Sequence, residues 1–122
     1  MNLPFEKVTP EQFDTLYNVN ICSMFFLTQA VLPLFLESKG VVINLTSVHA
    51  FSGAPEHSVY AGTRGAIVAF TRELSIELAP RGICVNAIAP GAGAVENHFK
   101  AISGYDPEAN GQLIPCGFEE RL

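Results

Sequence analysis

Three features of the sequence predict a parallel α/β fold. Val41 to Ser47 and Ile83 to Ala89 are short runs rich in β-branched residues, each bounded by glycine or proline, and the interval between them carries a helical period. A strand, a helix and a second strand in that order make a right-handed crossover unit with parallel strands, because a tight turn joins only antiparallel ones. The expected elements are strands at about 41–47 and 83–89 and long helices at about 10–37 and 59–79. With 122 residues there is material for one hydrophobic core, so 1–122 is read as a single domain.

The first helix opens on Thr9-Pro10-Glu11-Gln12, which combines a hydroxyl cap, a proline at the first helical position and a glutamine three residues after the cap. Phe13, Leu16, Tyr17, Met24, Leu27 and Val31 then recur at helical spacing, with Asn20 in the same stripe, and Pro33 and Gly40 are expected to end the segment. The apolar opening Val41-Val42-Ile43 suits a strand covered on both faces, and Val48 to Ser58, with its glycine, proline and two histidines, reads as a loop. In the second helix Ile67, Phe70, Leu74 and Leu78 share a face while Arg72, Glu73 and Glu77 face solvent. Ala61, Gly62, Gly65, Ala66 and Ala69 leave much of that helix small enough for close approach by another element, and Pro80-Arg81-Gly82 stops it. After Pro90-Gly91 the pattern weakens to a short helix at 95–102 and a stretch punctuated by glycine and proline at 104–117.

Composition excludes several classes. Charged residues are 16% of the chain and hydrophobic ones 48%, whereas an ordinary globular domain is about 25% charged. So short a chain cannot cover that much apolar surface by itself, so part of it is expected to meet a partner or further parts of the same fold, and bare strand edges should make it self-associate. The net charge is -5 and the basic residues are scattered, which argues against a nucleic-acid partner. Cys22, Cys84 and Cys116 are odd in number and widely spaced, as expected of buried, reduced thiols in a cytoplasmic protein. Met1 to Lys7 lacks the layout of a secretory signal, and Ile21 to Leu36, interrupted by Ser23, Thr28, Gln29 and Pro33, falls short of the roughly 20 residues of a membrane span. A buried helix is expected there and no membrane partner. Asn44-Leu45-Thr46 matches a glycosylation acceptor but sits in an apolar run, so it is read as accidental. His49, His57 and His98 show no metal-ligand spacing and are read as loop residues, so no metal is expected.

Parallel strands bring Ser47 and Pro90-Gly91 to the same carboxyl edge of the sheet, where open α/β folds bind ligands. Tyr60 opens the intervening helix near that edge and Arg64 follows one turn later on the same face. A phenol beside a fixed cation has its ionised form stabilised, which suits it to donate and accept protons. A neighbouring serine hydroxyl can orient or polarise a carbonyl oxygen.

Asn20, Asn44-Leu45-Thr46-Ser47, Tyr60-Ala61-Gly62-Thr63-Arg64 and Val85-Asn86-Ala87-Ile88-Ala89-Pro90-Gly91, in that order and with thirteen residues from serine to tyrosine, resemble the successive motifs of the short-chain dehydrogenase/reductase family. The resemblance runs from about Pro4 to Gly91. It implies a partial Rossmann-like, doubly wound fold and an NAD(P)-dependent oxidoreductase that moves hydride between nicotinamide and an alcohol or carbonyl substrate. By the same resemblance Asn20, Ser47, Tyr60 and Arg64 are the catalytic residues. Tyr60 is the acid/base, Ser47 its partner on the substrate oxygen and Asn20 the support of an ordered water. Tyr60, Arg64, Pro90 and Gly91 lie by the cofactor, NAD or NADP. Homo-oligomers through the two long helices are implied as well.

Departures from the family pattern matter. Arg64 stands where the family usually has lysine, and a guanidinium keeps the charge but does not deprotonate. Val95 stands where the family often has threonine. The glycine-rich turn that cradles the pyrophosphate is not found in these residues; Gly91-Ala92-Gly93-Ala94-Val95-Glu96 half resembles it but places a carboxylate where phosphate would be repelled. The dinucleotide-binding segment is therefore expected before residue 1 and a closing strand after residue 122, leaving an incomplete domain that is inactive in isolation. Two rivals are weighed. A non-catalytic relative serving subunit association needs no cofactor. A hydrolase with Ser47 as nucleophile and His49 or His57 as base lacks the Gly-x-Ser-x-Gly elbow. Arg64 has its own plain alternative, an ion pair with Glu56.

Overall fold

In the computed structural model, which describes residues 2–91, 93–94 and 120–121, the expected capping box forms. The Thr9 hydroxyl accepts from the Gln12 backbone N–H at 3.3 Å, and the Gln12 side chain accepts from Thr9 N–H at 3.0 Å. Helix α1 (Pro10–Tyr17) starts there and passes through a π-helical segment, Asn18–Cys22, into α2 (Ser23–Ser38). Three- and four-residue spacing gives no sign of this widened turn, and Asn20 sits at its centre.

The helix ends at Ser38, beside the expected bound at 37, and Pro33 does not interrupt it. That proline lies inside α2, where the lost hydrogen bond is offset by Leu32 and Phe35 packing on the core of Leu78, Ile83 and Val85. The helix stops at Lys39, which turns left-handed at φ 54°, and a Cβ on Gly40 would collide with the Phe35 ring. Because the helix continues past Pro33, Pro10–Glu37 is long and apolar enough to cross a bilayer by length and composition, which corrects the shorter reading for Ile21 to Leu36. The expected burial is corrected too. Phe26 and Leu27 are exposed, while Thr28 is buried.

Strand β1 (Val41–Leu45) pairs in parallel with β2 (Cys84–Ile88), from Val41 opposite Cys84 to Leu45 opposite Ile88. Helix α3 (Ser58–Leu78) makes the crossover, and Gly82 at φ 75° turns the chain after it. Two parallel strands with two long helices are the partial α/β fold that the sequence predicted, with each strand two residues shorter than expected. Ile67 and Leu78 of α3 are buried and Arg72, Glu73 and Glu77 exposed, as the helical period required.

One expectation for β1 fails. Val41, Ile43 and Leu45 are 57%, 57% and 62% exposed, while Val42 packs on the core and Asn44 is buried. Alternate strand residues point to opposite faces, and among the described residues only one of those faces is covered. Cys84 is likewise exposed rather than buried, and Cys22 is half-buried. The excess apolar surface implied by composition is thus located in part on β1 and α2. Between them lies a groove of about 480 Å³ lined by Met24, Leu27, Val31, Ile43 and Leu45.

Asn44 ties β1 to α3 by donating to the Thr71 hydroxyl at 2.9 Å, with both residues buried. Its amide is therefore unavailable to a glycan. Pro90–Leu122 is a separate compact unit in which β3 (Gly93–Ala94) pairs in parallel with β4 (Glu120–Arg121). The helix expected at 95–102, the stretch 104–117, His98 and Cys116 lie outside the described residues.

Thr71→Val keeps the shape but strands the buried Asn44 amide, so urea unfolding should show a loss of about 1–3 kcal/mol. Arg72→Ala removes an exposed pair with Glu73 and should cost less than about 1 kcal/mol. Equal effects would show that the buried bond contributes nothing special.

Candidate functional site

Beyond Leu45 the parallel ladder continues by one bond, from Thr46 N–H to the Ile88 carbonyl at 2.9 Å, and then the chain turns at Ser47. Ser47 is buried and extended, and its Oγ accepts from His49 N–H at 3.3 Å, capping the short helical turn Val48–Ala50. Because that oxygen accepts from the backbone, its own hydroxyl proton stays available to a substrate oxygen. The turn packs against the first turns of α3 through His49, whose ring meets Tyr60 edge to face at a centroid separation of 5.6 Å. Ser47 and Tyr60 thus lie on neighbouring segments at the same end of the fold.

Arg64 lies one helical turn beyond Tyr60 with its guanidinium carbon 4.7 Å from the Tyr60 ring centroid. Its Nη1 donates to the Leu45 carbonyl at 3.0 Å, and its own carbonyl accepts from the Thr46 hydroxyl at 2.7 Å. These bonds, not an ion pair with Glu56, hold the cation. Glu56 is exposed and forms no salt bridge among the described residues. Arg64 Nε is buried with no protein partner, an N–H donor that would fit the hydroxyl oxygen of a bound ribose.

Asn20 reaches the site at second hand. Its Nδ2 donates to the Thr63 hydroxyl at 3.0 Å, and Thr63, the most buried residue of α3, donates to the Tyr60 carbonyl at 2.8 Å. Helix α1 approaches α3 closely at Gly62, where a Cβ would stand 3.1 Å from the Tyr17 hydroxyl. That bears out the small-residue face in part, since a Cβ on Gly65 would meet nothing within 4 Å.

Sequence reasoning missed two residues. His49 and His57 stack at 4.6 Å with an interplanar angle of 9°, and both rings lie edge to face with Tyr60, His57 at 6.3 Å. The one available signal was that both occur in the loop between Ser47 and Tyr60; their spacing suggests nothing, because a loop has no period. No imidazole nitrogen bonds Ser47 Oγ among the described hydrogen bonds, so the hydrolase arrangement is not formed. Pro90 and Gly91 open the second unit and are described with it, and Val95 and Glu96 lie outside the described residues.

Residues 1–103 match the family model described as short chain dehydrogenase. This chain belongs to the short-chain dehydrogenases. It is 48% identical over 86 residues to the uncharacterized oxidoreductase YhxC of Bacillus subtilis, covering 70% of this chain and 30% of that protein. To 3beta-hydroxysteroid dehydrogenase 1 of Eggerthella lenta it is 36% identical over 120 residues, 94% of this chain and 45% of that one. The crystal structure of 3-ketoacyl-(acyl-carrier-protein) reductase from Brucella melitensis complexed with NADH superposes with a TM-score of 0.85 at 30% identity, covering 98% of this short-chain dehydrogenase chain and 49% of the reductase. The chain therefore spans less than half the length of these two curated relatives.

His49 has its pKa below the usual histidine value, first because burial disfavours the imidazolium and second because the charge of His57 opposes it. The unfolded chain takes up a proton at His49 near pH 6.5 while the folded chain resists it, so stability is lost as pH falls through that value towards the folded one. Thermal melts between pH 8 and 5 should show this slope, and His49→Phe should flatten it. Identical slopes would mean that His49 titrates as freely folded as unfolded.

Proposed function

We propose that these residues form the catalytic half of an NAD(P)-dependent oxidoreductase acting on an alcohol or carbonyl, with Tyr60 as the acid/base. The observation that carries the reading is the Arg64 guanidinium held over the Tyr60 ring, beside the turn that begins at Ser47. In carbonyl reduction Tyr60 gives its hydroxyl proton to the substrate oxygen, and the Ser47 hydroxyl donates to the same oxygen and polarises the carbonyl. In alcohol oxidation the proton runs back to Tyr60. Arg64 stabilises the phenolate left behind, by charge and without exchanging a proton itself. Asn20, with its Nδ2 bound to Thr63, keeps its Oδ1 to hold a water near the base of Tyr60.

NAD or NADP supplies or takes the hydride when bound. Tyr60 and Arg64 hold its nicotinamide end, and the orphaned Arg64 Nε is the donor that supports this assignment. The Brucella reductase is in complex with NADH, which is consistent with that cofactor class. The 122 residues contain no glycine-rich pyrophosphate turn, so the isolated chain is inactive and binds dinucleotide weakly. A groove of about 290 Å³ between α2 and α3, lined by Phe25, Leu32, Phe70 and Leu74, supports a homo-oligomer through these helices. The free Cys22 and Cys84 support a cytoplasmic location.

Tyr60→Phe in the dinucleotide-loaded enzyme should lower kcat by about a hundredfold to ten-thousandfold, measured by nicotinamide absorbance. Turnover unchanged in that variant removes Tyr60 from the chemistry. Calorimetry on the isolated chain should detect no micromolar binding of NAD or NADP, and such binding would refute the weak-affinity reading.

A further inference from the structure

Resting on the reading of Tyr60 as acid/base, we propose that His49 relays the proton between Tyr60 and solvent, a task the Arg64 guanidinium is chemically unable to perform. Each reduction strips Tyr60 of its hydroxyl proton, which must be restored before the next. A lysine ammonium can lose and regain a proton, whereas a guanidinium does not deprotonate in a protein. The replacement proton therefore needs another carrier close to the phenol.

His49 is that carrier by position. Its ring stands 5.6 Å from the Tyr60 ring, centre to centre and at 78°, and no described hydrogen bond joins the two, so the transfer runs through a bridging water. Its Nδ1 is buried and has no hydrogen-bond partner in the protein, so one ring nitrogen is uncommitted. His57 is its stacked neighbour. Its Nδ1 lies 2.6 Å from the Pro55 carbonyl, which can only accept, so that nitrogen carries a hydrogen. Burial disfavours the charged ring first, and two imidazoles stacked at 4.6 Å repel when both are charged, so the pKa of His49 is lowered and its neutral, proton-accepting form is favoured. Among the described residues the titratable groups against its ring are Tyr60 on α3 and His57 on the loop before α3, and the charged Arg64 lies on the Tyr60 ring.

In alcohol oxidation the alcohol O–H bond breaks and its proton forms the Tyr60 O–H. That proton then passes to the free electron pair of neutral His49, and the imidazolium releases it to water. Reduction runs the same transfers backwards. No electrons change hands in the relay.

Two measurements test it. In the 122-residue chain labelled with nitrogen-15, Tyr60→Phe should shift the titration midpoint and tautomer balance of the His49 ring; an unchanged ring overturns the relay whatever the enzyme's activity. In the dinucleotide-loaded enzyme, His49→Phe should lower kcat by about a hundredfold and shift its pH profile, and both added imidazole and Arg64→Lys should restore part of the rate. A loss that neither restores assigns His49 to packing and overturns the relay. An unchanged kcat and pH profile, with Tyr60→Phe inactive, overturns the relay but leaves Tyr60 as acid/base. Turnover that survives Tyr60→Phe overturns both.

Discussion

The position of every site residue in the first unit depends on how α3 is fastened to the end of β1. Asn44 donates to Thr71, Thr46 donates to the Arg64 carbonyl, and Arg64 donates back to the Leu45 carbonyl. The buried apolar core beside these bonds is small, chiefly Ile67, Leu78, Ile83 and Val85. Apolar burial is non-directional and would let the helix rotate or slide, whereas a buried hydrogen bond missed by one residue leaves a polar group unpaired at about 1–3 kcal/mol. The polar ladder therefore sets the rotation of α3, and that rotation turns Tyr60 and Arg64 towards the strand end.

Arg64 takes part in both the scaffold and the site. Its backbone carbonyl and Nη1 belong to the ladder, while its guanidinium carbon stands 4.7 Å from the Tyr60 ring centroid. A lysine could supply the charge but not the same fork of fixed donors, so arginine trades proton exchange for a cation held rigidly in place. A cation over an aromatic ring contributes about 0.5–2 kcal/mol depending on desolvation, enough to favour this arrangement over a freely solvated side chain. Asn20 extends the same logic to the first helix, because its bond to Thr63 links the π-helical turn to the backbone under Tyr60.

Much of this was written locally. The capping box of Thr9 and Gln12 is a matter of neighbours three residues apart, so it was legible and forms as expected. The helical period of Ile67, Phe70, Leu74 and Leu78 and the β-branched runs on either side likewise carry their own geometry. The order of motifs from Asn20 to Gly91 named the family before any coordinate did. Where a local signal misled, tertiary packing had overruled it: Val41, Ile43 and Leu45 lie bare because no described element covers that face.

By itself, then, the sequence determined the elements, their parallel order and the chemical types gathered at the strand end, since each depends on spacing along the chain. Only the tertiary structure decided that Arg64 bonds Leu45 rather than Glu56, that Asn20 meets Thr63, and that His49 and His57 stack beside Tyr60. Those contacts join residues far apart in sequence or held in a loop, where no period encodes which side chains will meet.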